Sequence, residues 1–288
     1  MAKKYGRDEV NARLRETLKA GKSIILGGAG DGFTAKLEEK GGLDIIGIYN
    51  SGRFRHFGAG SLSGLMPLGR NQDMVMDYAA EVLSMVKETP VIAGFCAQDT
   101  RTLWEHWFNT LASMGVSGFM NFPTVGLIDA DSRYRNNLEE SGLGFDSEAE
   151  VLRIAHDLGF FTVGYCFTPD EAKMIAKAGV DIIGCHVGLT SGGLIGAGTV
   201  MTLDESVKVT NQLIAAAKEV RPAGDFIAMT HGGPMEDPES TAYVMERTEA
   251  VGYLGASSIE RTPVEPAVIK VCQEFKNIPV NIPDWLKL

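Results

Sequence analysis

Two histidines are the clearest candidates for chemistry in this sequence. His186 closes the apolar run DIIGCH, His231 closes FIAMTH, and each is followed by glycine within two residues. Imidazole changes charge near neutral pH, so a histidine at a strand end is well placed to move a proton. Side chains alternate along a strand, so only one of Cys185 and His186 can face the inside. His231, with Gly232 and Gly233 behind it, is the stronger candidate; the plainer reading is a structural histidine bonding a loop carbonyl. The run ending FCAQD offers Cys96 and Asp99 as nucleophile, base or metal ligand. Their plainer readings are a small core residue and a helix-starting carboxylate. The run ending ASSIER offers Ser257, Ser258 and Glu260, the last as a metal ligand, a water-orienting group or a partner of Arg261.

Positive charge and small donors gather in YNSGRFRHFGAG, where Asn50, Ser51 and Gly52 precede Arg53, Arg55 and His56. That mixture suits a carboxylate or a phosphate, or else a solvated loop with salt bridges. In GGAGDGF the glycines, Gly28 among them, let backbone N–H groups approach an anion. The run is neither GxGxxG nor a P-loop, so it supports no nucleotide site. Asn121 ends a further run in NFPT, and GLTSGGLIGAG over 188–198 reads as a mobile lid. Neither HExxH nor zinc-type spacing of Cys and His occurs.

These residues need a frame, and short β-branched runs alternating with helical patterns supply it. Strands are expected at Ser23–Leu26, Asp44–Tyr49, Pro90–Phe95, Gly118–Phe122, Phe161–Cys166, Asp181–His186, Phe226–Thr230 and Tyr253–Ala256. Eight such units with no leftover domain predict one (β/α)8 barrel over 1–288, with a helical extension over 1–22 and a tail over 277–288. The extension should cover the barrel's N-terminal mouth or mediate assembly. Helical stripes run through Val75, Tyr78, Ala79, Val82, Leu83 and Val86, and through Leu103, Trp104, Trp107, Phe108 and Leu111. Capping boxes are expected at Ser147/Glu150, Thr168/Glu171, Thr202/Glu205 and Thr262/Glu265. AKLEEKGGLDIIG at 35–47 returns as AKMIAKAGVDIIG at 172–184, a half-barrel echo. Strand-to-helix connections are long at Asn50–Asn71, Pro123–Asp146 and Val187–Met201, on the face where barrel sites lie. Gly232, Gly233, Ser257 and Ser258 end the last two strands, where barrels frequently hold phosphate.

A net charge of −10 and the lack of a basic stripe argue against nucleic acid. Four scattered cysteines, no signal peptide and no long apolar run lead us to expect a cytoplasmic protein with reduced thiols and no membrane contact.

The motifs GGAGDGFTAK, YNSGRFR, PVIAGFCAQD, GFMNFPTVGLID, THGGP and ASSIERTPVE, spread over nearly the whole chain, resemble the phosphoenolpyruvate hydrolase-like TIM-barrel family. That family is similar in turn to the phosphoenolpyruvate mutase/isocitrate lyase superfamily. The resemblance implies an enzyme that cleaves a C–P, P–O or C–C bond in a small anionic 2-oxo acid or phosphonate. Asn50-Ser51-Gly52 resembles the superfamily's carboxylate loop, and with Arg53 it would hold the carboxylate. The glycine-rich ends of strands seven and eight would hold a second anionic group. Where the superfamily has a D-x-D pair for Mg2+ this chain has Gly94 and Cys96, and its next acidic residue falls at Asn121 or Phe122. Loss of hard oxygen ligands weakens a Mg2+ site; Asp99 or Glu260 would bind a metal or orient a water. The alternative is a non-catalytic, ligand-sensing barrel. The resemblance also implies self-association into a homo-oligomer.

Overall fold

The structure, a computed structural model, describes residues 2–283 and 285; the end of the expected tail lies outside them. After helix α1 (Arg7–Lys19) the chain makes β1 (Ile24–Gly28), α2 (Gly32–Gly41), β2 (Ile45–Ile48), α3 (Asn50–His56), α4 (Asn71–Met85) and β3 (Val91–Gly94). Then come α5 (Trp104–Met114), β4 (Gly118–Met120), α6 (Arg133–Glu140), α7 (Phe145–Asp157), β5 (Phe161–Cys166), α8 (Pro169–Lys177) and β6 (Ile182–His186). The chain continues through α9 (Leu203–Val220), β7 (Ile227–His231), α10 (Pro238–Met245), β8 (Gly252–Gly255), α11 (Ser257–Glu260) and α12 (Val264–Lys276). The eight strands close into a parallel barrel, with β1 paired to β8. Every strand is apolar on both faces because one side fills the lumen and the other receives helices. Ile45, Ile92, Phe161, Val163, Ile182 and Met229 pack inside, while Ile46, Val91, Phe119, Ile183 and Ala228 pack outward under the helices. No helix among the described residues is long and apolar enough to cross a membrane.

Helix α1 closes the N-terminal mouth by burying Val10 and Leu14 against the lumen cluster. The sequence echo acquires its meaning here. Asp44 accepts from the Ile25 N–H (2.9 Å) and Thr17 Oγ1 (2.6 Å). Its counterpart Asp181 accepts from the Thr162 N–H (2.9 Å), Asn11 Nδ2 (2.7 Å) and Arg7 Nε (2.8 Å). Each aspartate ties its own strand to the preceding one and to the covering helix.

Some local expectations are corrected. The boxes at Thr168 and Thr202 form, but α7 starts at Phe145 on a Gly144 cap, so Ser147 lies within its first turn. Thr262 bonds the Ser257 carbonyl at 3.0 Å, and Glu265 turns to Arg261 and the Leu194 N–H instead of reaching back. Leu103 is exposed because it precedes the first turn of α5, off the stripe formed by its neighbours. The Asn50–Asn71 connection opens as helix α3, and the Pro123–Asp146 connection contains α6. Val187–Met201 contains neither helix nor strand.

Candidate active site

The upper lumen is shaped by glycines that leave room for aromatic rings. A Cβ on Gly28 would lie 2.1 Å from Tyr49 Oη, and one on Gly184 would lie 2.9 Å from Tyr165 Cδ1. Into that room come Tyr49, Phe122, Tyr165, His186 and His231, joined by Arg55, Ser61, Leu189, Thr190, Ala256 and Ser257 around a small cavity. Its volume is about 20 Å³, enough for about one water.

His186 and His231 are register partners on β6 and β7. Alternation therefore turns both rings inward, leaving Cys185 in the outer layer. The rings stand 4.3 Å apart between centroids, and Phe167 lies 4.4 Å from His186. Their hydrogen bonds set opposite tautomers. His231 Nδ1 meets the Leu254 carbonyl, which can only accept, so Nδ1 carries the proton and Nε2 keeps its lone pair. His186 Nδ1 accepts from the Gly188 N–H at 3.1 Å, so its proton sits on Nε2. Burial lowers the His231 pKa to about 4. Burial, reinforced by the neighbouring His231, holds His186 well below its usual value. Both are neutral at pH 7, and the pair presents one acceptor and one donor.

The fixed positive charge is Arg55, which helix α3 swings over the rim. Its Nε donates to Glu260 on α11, Nη1 to Ser61 Oγ (3.0 Å) and Nη2 to Tyr49 Oη (3.4 Å). Burial works against its charge, but the Glu260 carboxylate more than offsets this and raises the Arg55 pKa. Glu260 also accepts from the Gly30 N–H at 3.2 Å and lies 3.5 Å from His56 Nε2. Arg55 borders a second space as well, a rim cleft of about 360 Å³ bounded by His56, Leu194, Glu260, Arg261 and α12.

The other expected site residues divide sharply. Ser257 lines the cavity. Arg53, expected on the substrate, instead bonds the Gly30 carbonyl (3.1 Å) and faces Glu81 and the Tyr78 ring. Asn50 and Ser51 are spent on the Gly64 and Ser61 carbonyls, and Gly52 packs against Gly30. Gly28 serves Tyr49. Asp99 is held by Arg70 and Arg101 outside the cavity. Cys96 contacts Gln98 at 3.6 Å, and burial raises its thiol to about 11, which removes thiolate chemistry at neutral pH. Gly232 and Gly233 take positive φ, +81° and +57°, and hold the loop after β6 through Gly188 and Ser191. Ser258 bonds Tyr253 Oη at 2.9 Å on the barrel's outer side. Asn121 is locked by Glu148 (2.7 Å) and the Tyr165 backbone.

Sequence reasoning named Arg55 as a positive charge but assigned the ligand to Arg53, and it missed Tyr49, Tyr165 and Glu38. The tyrosines were findable, since each lies an even number of residues from an inward apolar position on its strand. Glu38 was not. It is buried on α2 with both oxygens unpartnered, and burial followed by repulsion from Glu260 pushes its pKa well up.

The Mg2+ implied by the resemblance does not fit. A Cβ on Gly94 would fall 2.3 Å from the Phe122 carbonyl oxygen and 2.6 Å from Tyr49 Cβ, so no carboxylate can stand there. Among the described residues no three His, Cys, Asp or Glu side chains converge in metal-binding fashion. Glu260 is committed to Arg55 and Asp99 to two arginines.

The profile of the phosphoenolpyruvate hydrolase-like family matches residues 9–278. The chain is 47% identical over 267 residues to the ToMV susceptible protein tm-1(GCR26) of Solanum lycopersicum, covering 92% of this chain and 35% of that protein. The ToMV resistance protein Tm-1(GCR237) of the same plant gives the same figures. The chain thus spans about a third of the length of these curated relatives. A crystal structure of phosphonopyruvate hydrolase in complex with oxalate and Mg++ superposes with a TM-score of 0.55 at 16% identity, covering 93% of this chain and 87% of that one. This last likeness is one of fold.

Proposed function

The chain belongs to the phosphoenolpyruvate hydrolase-like family, and from that premise we propose that it is an enzyme acting on a small anionic 2-oxo acid or phosphonate. The bond cleaved, C–P, P–O or C–C, lies next to the 2-oxo or enol group. The observation that carries this reading is Arg55, which borders both the inner cavity beside the two histidines and a rim cleft large enough for a small metabolite. Its Nη edge takes the substrate carboxylate, while Glu260 on Nε fixes the plane of the guanidinium. For hydrolysis of a C–P bond, His231 Nε2 accepts the proton of the attacking water. The water oxygen bonds to phosphorus as the C–P bond breaks, phosphate leaves, and the electrons pass into the 2-oxo group as an enolate whose oxygen accepts a hydrogen bond from His186 Nε2–H; the proton taken by His231 then returns to the carbon that lost phosphorus. The inner cavity holds about one water, so the loop over Val187–Met201 has to lift to admit a substrate.

A thermal-shift and turnover screen with phosphonopyruvate, phosphoenolpyruvate, oxaloacetate and acylpyruvates tests this. Stabilisation by at least one, with turnover lost in His231→Asn, is the expected result. Absence of any shift removes the substrate class. A second reading, a ligand-sensing barrel without turnover, is favoured by the misfit of the metal site. It predicts a shift without product for every compound, and binding that survives His231→Asn.

A further inference from the structure

We propose that the site binds its carboxylate ligand without a divalent cation, with the Arg55 guanidinium occupying the role of the metal. The inference rests on the reading of the site given above and adds to it how the anion is held. In the resemblance the metal carboxylates belong after strands three and four. In this chain the first of those positions is sealed by backbone and ring atoms around Gly94, as the collisions of a modest Cβ already show. The position after strand four is Asn121, a neutral amide whose Oδ1 takes the Tyr165 N–H (2.7 Å) and whose Nδ2 is shared between Glu148 (2.7 Å) and the Tyr165 carbonyl (3.1 Å), so it supplies no carboxylate to a cation. Phe122 and Tyr49 pack edge to face, 5.0 Å between centroids, across the space between these positions.

The same substitutions that exclude a cation seat the guanidinium. Tyr49, which blocks the Gly94 position, is also the residue whose hydroxyl accepts from Arg55 Nη2. Ser61 and Glu260 complete its anchoring. A guanidinium held at three points presents a planar pair of donors, which matches a planar carboxylate better than a point charge does. Because Glu260 occupies the Nε side, a ligand has only the Nη edge to reach, which suits a compact carboxylate. A polyphosphate is a poorer match.

Oxalate, a planar dianion, is the probe. Titration calorimetry on the full chain, at matched free oxalate, compares EDTA with millimolar Mg2+. The expected result is the same Kd within about twofold in both, and at least tenfold weaker binding in Arg55→Lys. Tyr49→Phe, which removes only one anchor of the guanidinium, serves as the second variant should the lysine variant not fold; a loss of about threefold is expected. Binding that appears only with Mg2+, or an unchanged Kd in both variants, overturns the inference while leaving the 2-oxo acid reading intact. No oxalate binding under either condition, together with no stabilisation by any 2-oxo acid, removes both; a 2-oxo acid that binds where oxalate does not overturns the inference alone.

Discussion

His231 and His186 stay neutral because burial penalises the imidazolium: the Leu254 carbonyl offsets this only in part for His231, and for His186 the neighbouring His231 adds to it. The consequence for stability has a definite sign. The unfolded chain takes up a proton near pH 6.5, whereas folded His231 resists until about pH 4, so stability is lost as pH falls through that interval. A depression of this size is worth about 3 kcal/mol for His231 alone. Urea midpoints measured from pH 7 to 4 should fall, and His231→Asn should flatten the profile. Glu38 has the opposite sign. Its folded pKa is raised, so its contribution is present below the ordinary carboxylate range and is lost as pH rises. Glu38→Gln should therefore raise the melting temperature more at pH 8 than at pH 5. Gly94→Ala puts a methyl into the Phe122 carbonyl and Tyr49, and should cost about 3 kcal/mol by urea denaturation.

Each of the first seven strands is followed by a helix that buries a face on the barrel, but α12, after β8, buries none of its residues. Val264, Val268, Ile269, Val271 and Phe275 are exposed along it. Next to β8 and β1 lies an open groove of about 680 Å³, floored by Ile25, Tyr253 and Ile259, with Met245 and Glu246 at its edge. Ile25 is the one residue of the eight strands left only partly buried on the barrel's outer side. An apolar helix without a seat and an apolar seat without a helix complement one another. We propose that a second copy's α12 fills this groove. Light scattering should give a dimer or larger, and Val268→Asp with Phe275→Asp should shift it to monomer. A wild-type monomer at micromolar concentration contradicts this. Helix α1 is a separate device at the opposite end: Asp181→Ala removes the acceptor shared by Arg7, Asn11 and the Thr162 N–H, and should cost about 3 kcal/mol.

The barrel as a whole was legible because its signal is repeated eight times. Each strand run needed only its own period and its own turn residues to be located, and errors at one cap, such as Ser147, did not propagate. Of the candidate site, the placement of both histidines at adjacent strand ends was legible, since the strand pattern fixes it. That Arg55 and not Arg53 lines the cavity was not legible. Arg53 and Arg55 are two residues apart, and once NSGRFRH folds as a helix and not as a loop they point to different neighbours, Glu81 for one and Glu260 for the other. That Glu260 is 205 positions from Arg55 is a fact of barrel closure, which brings α3 and α11 together on either side of β1. Arg55, His186 and His231 line one cavity at the C-terminal mouth, the anion site proposed above. The most direct measurement is a crystal structure of the chain with oxalate. A carboxylate is expected within hydrogen-bond distance of Arg55 Nη and of a histidine Nε2. Oxalate bound instead at Arg53, at Arg70 and Arg101, or away from the barrel mouth would contradict it.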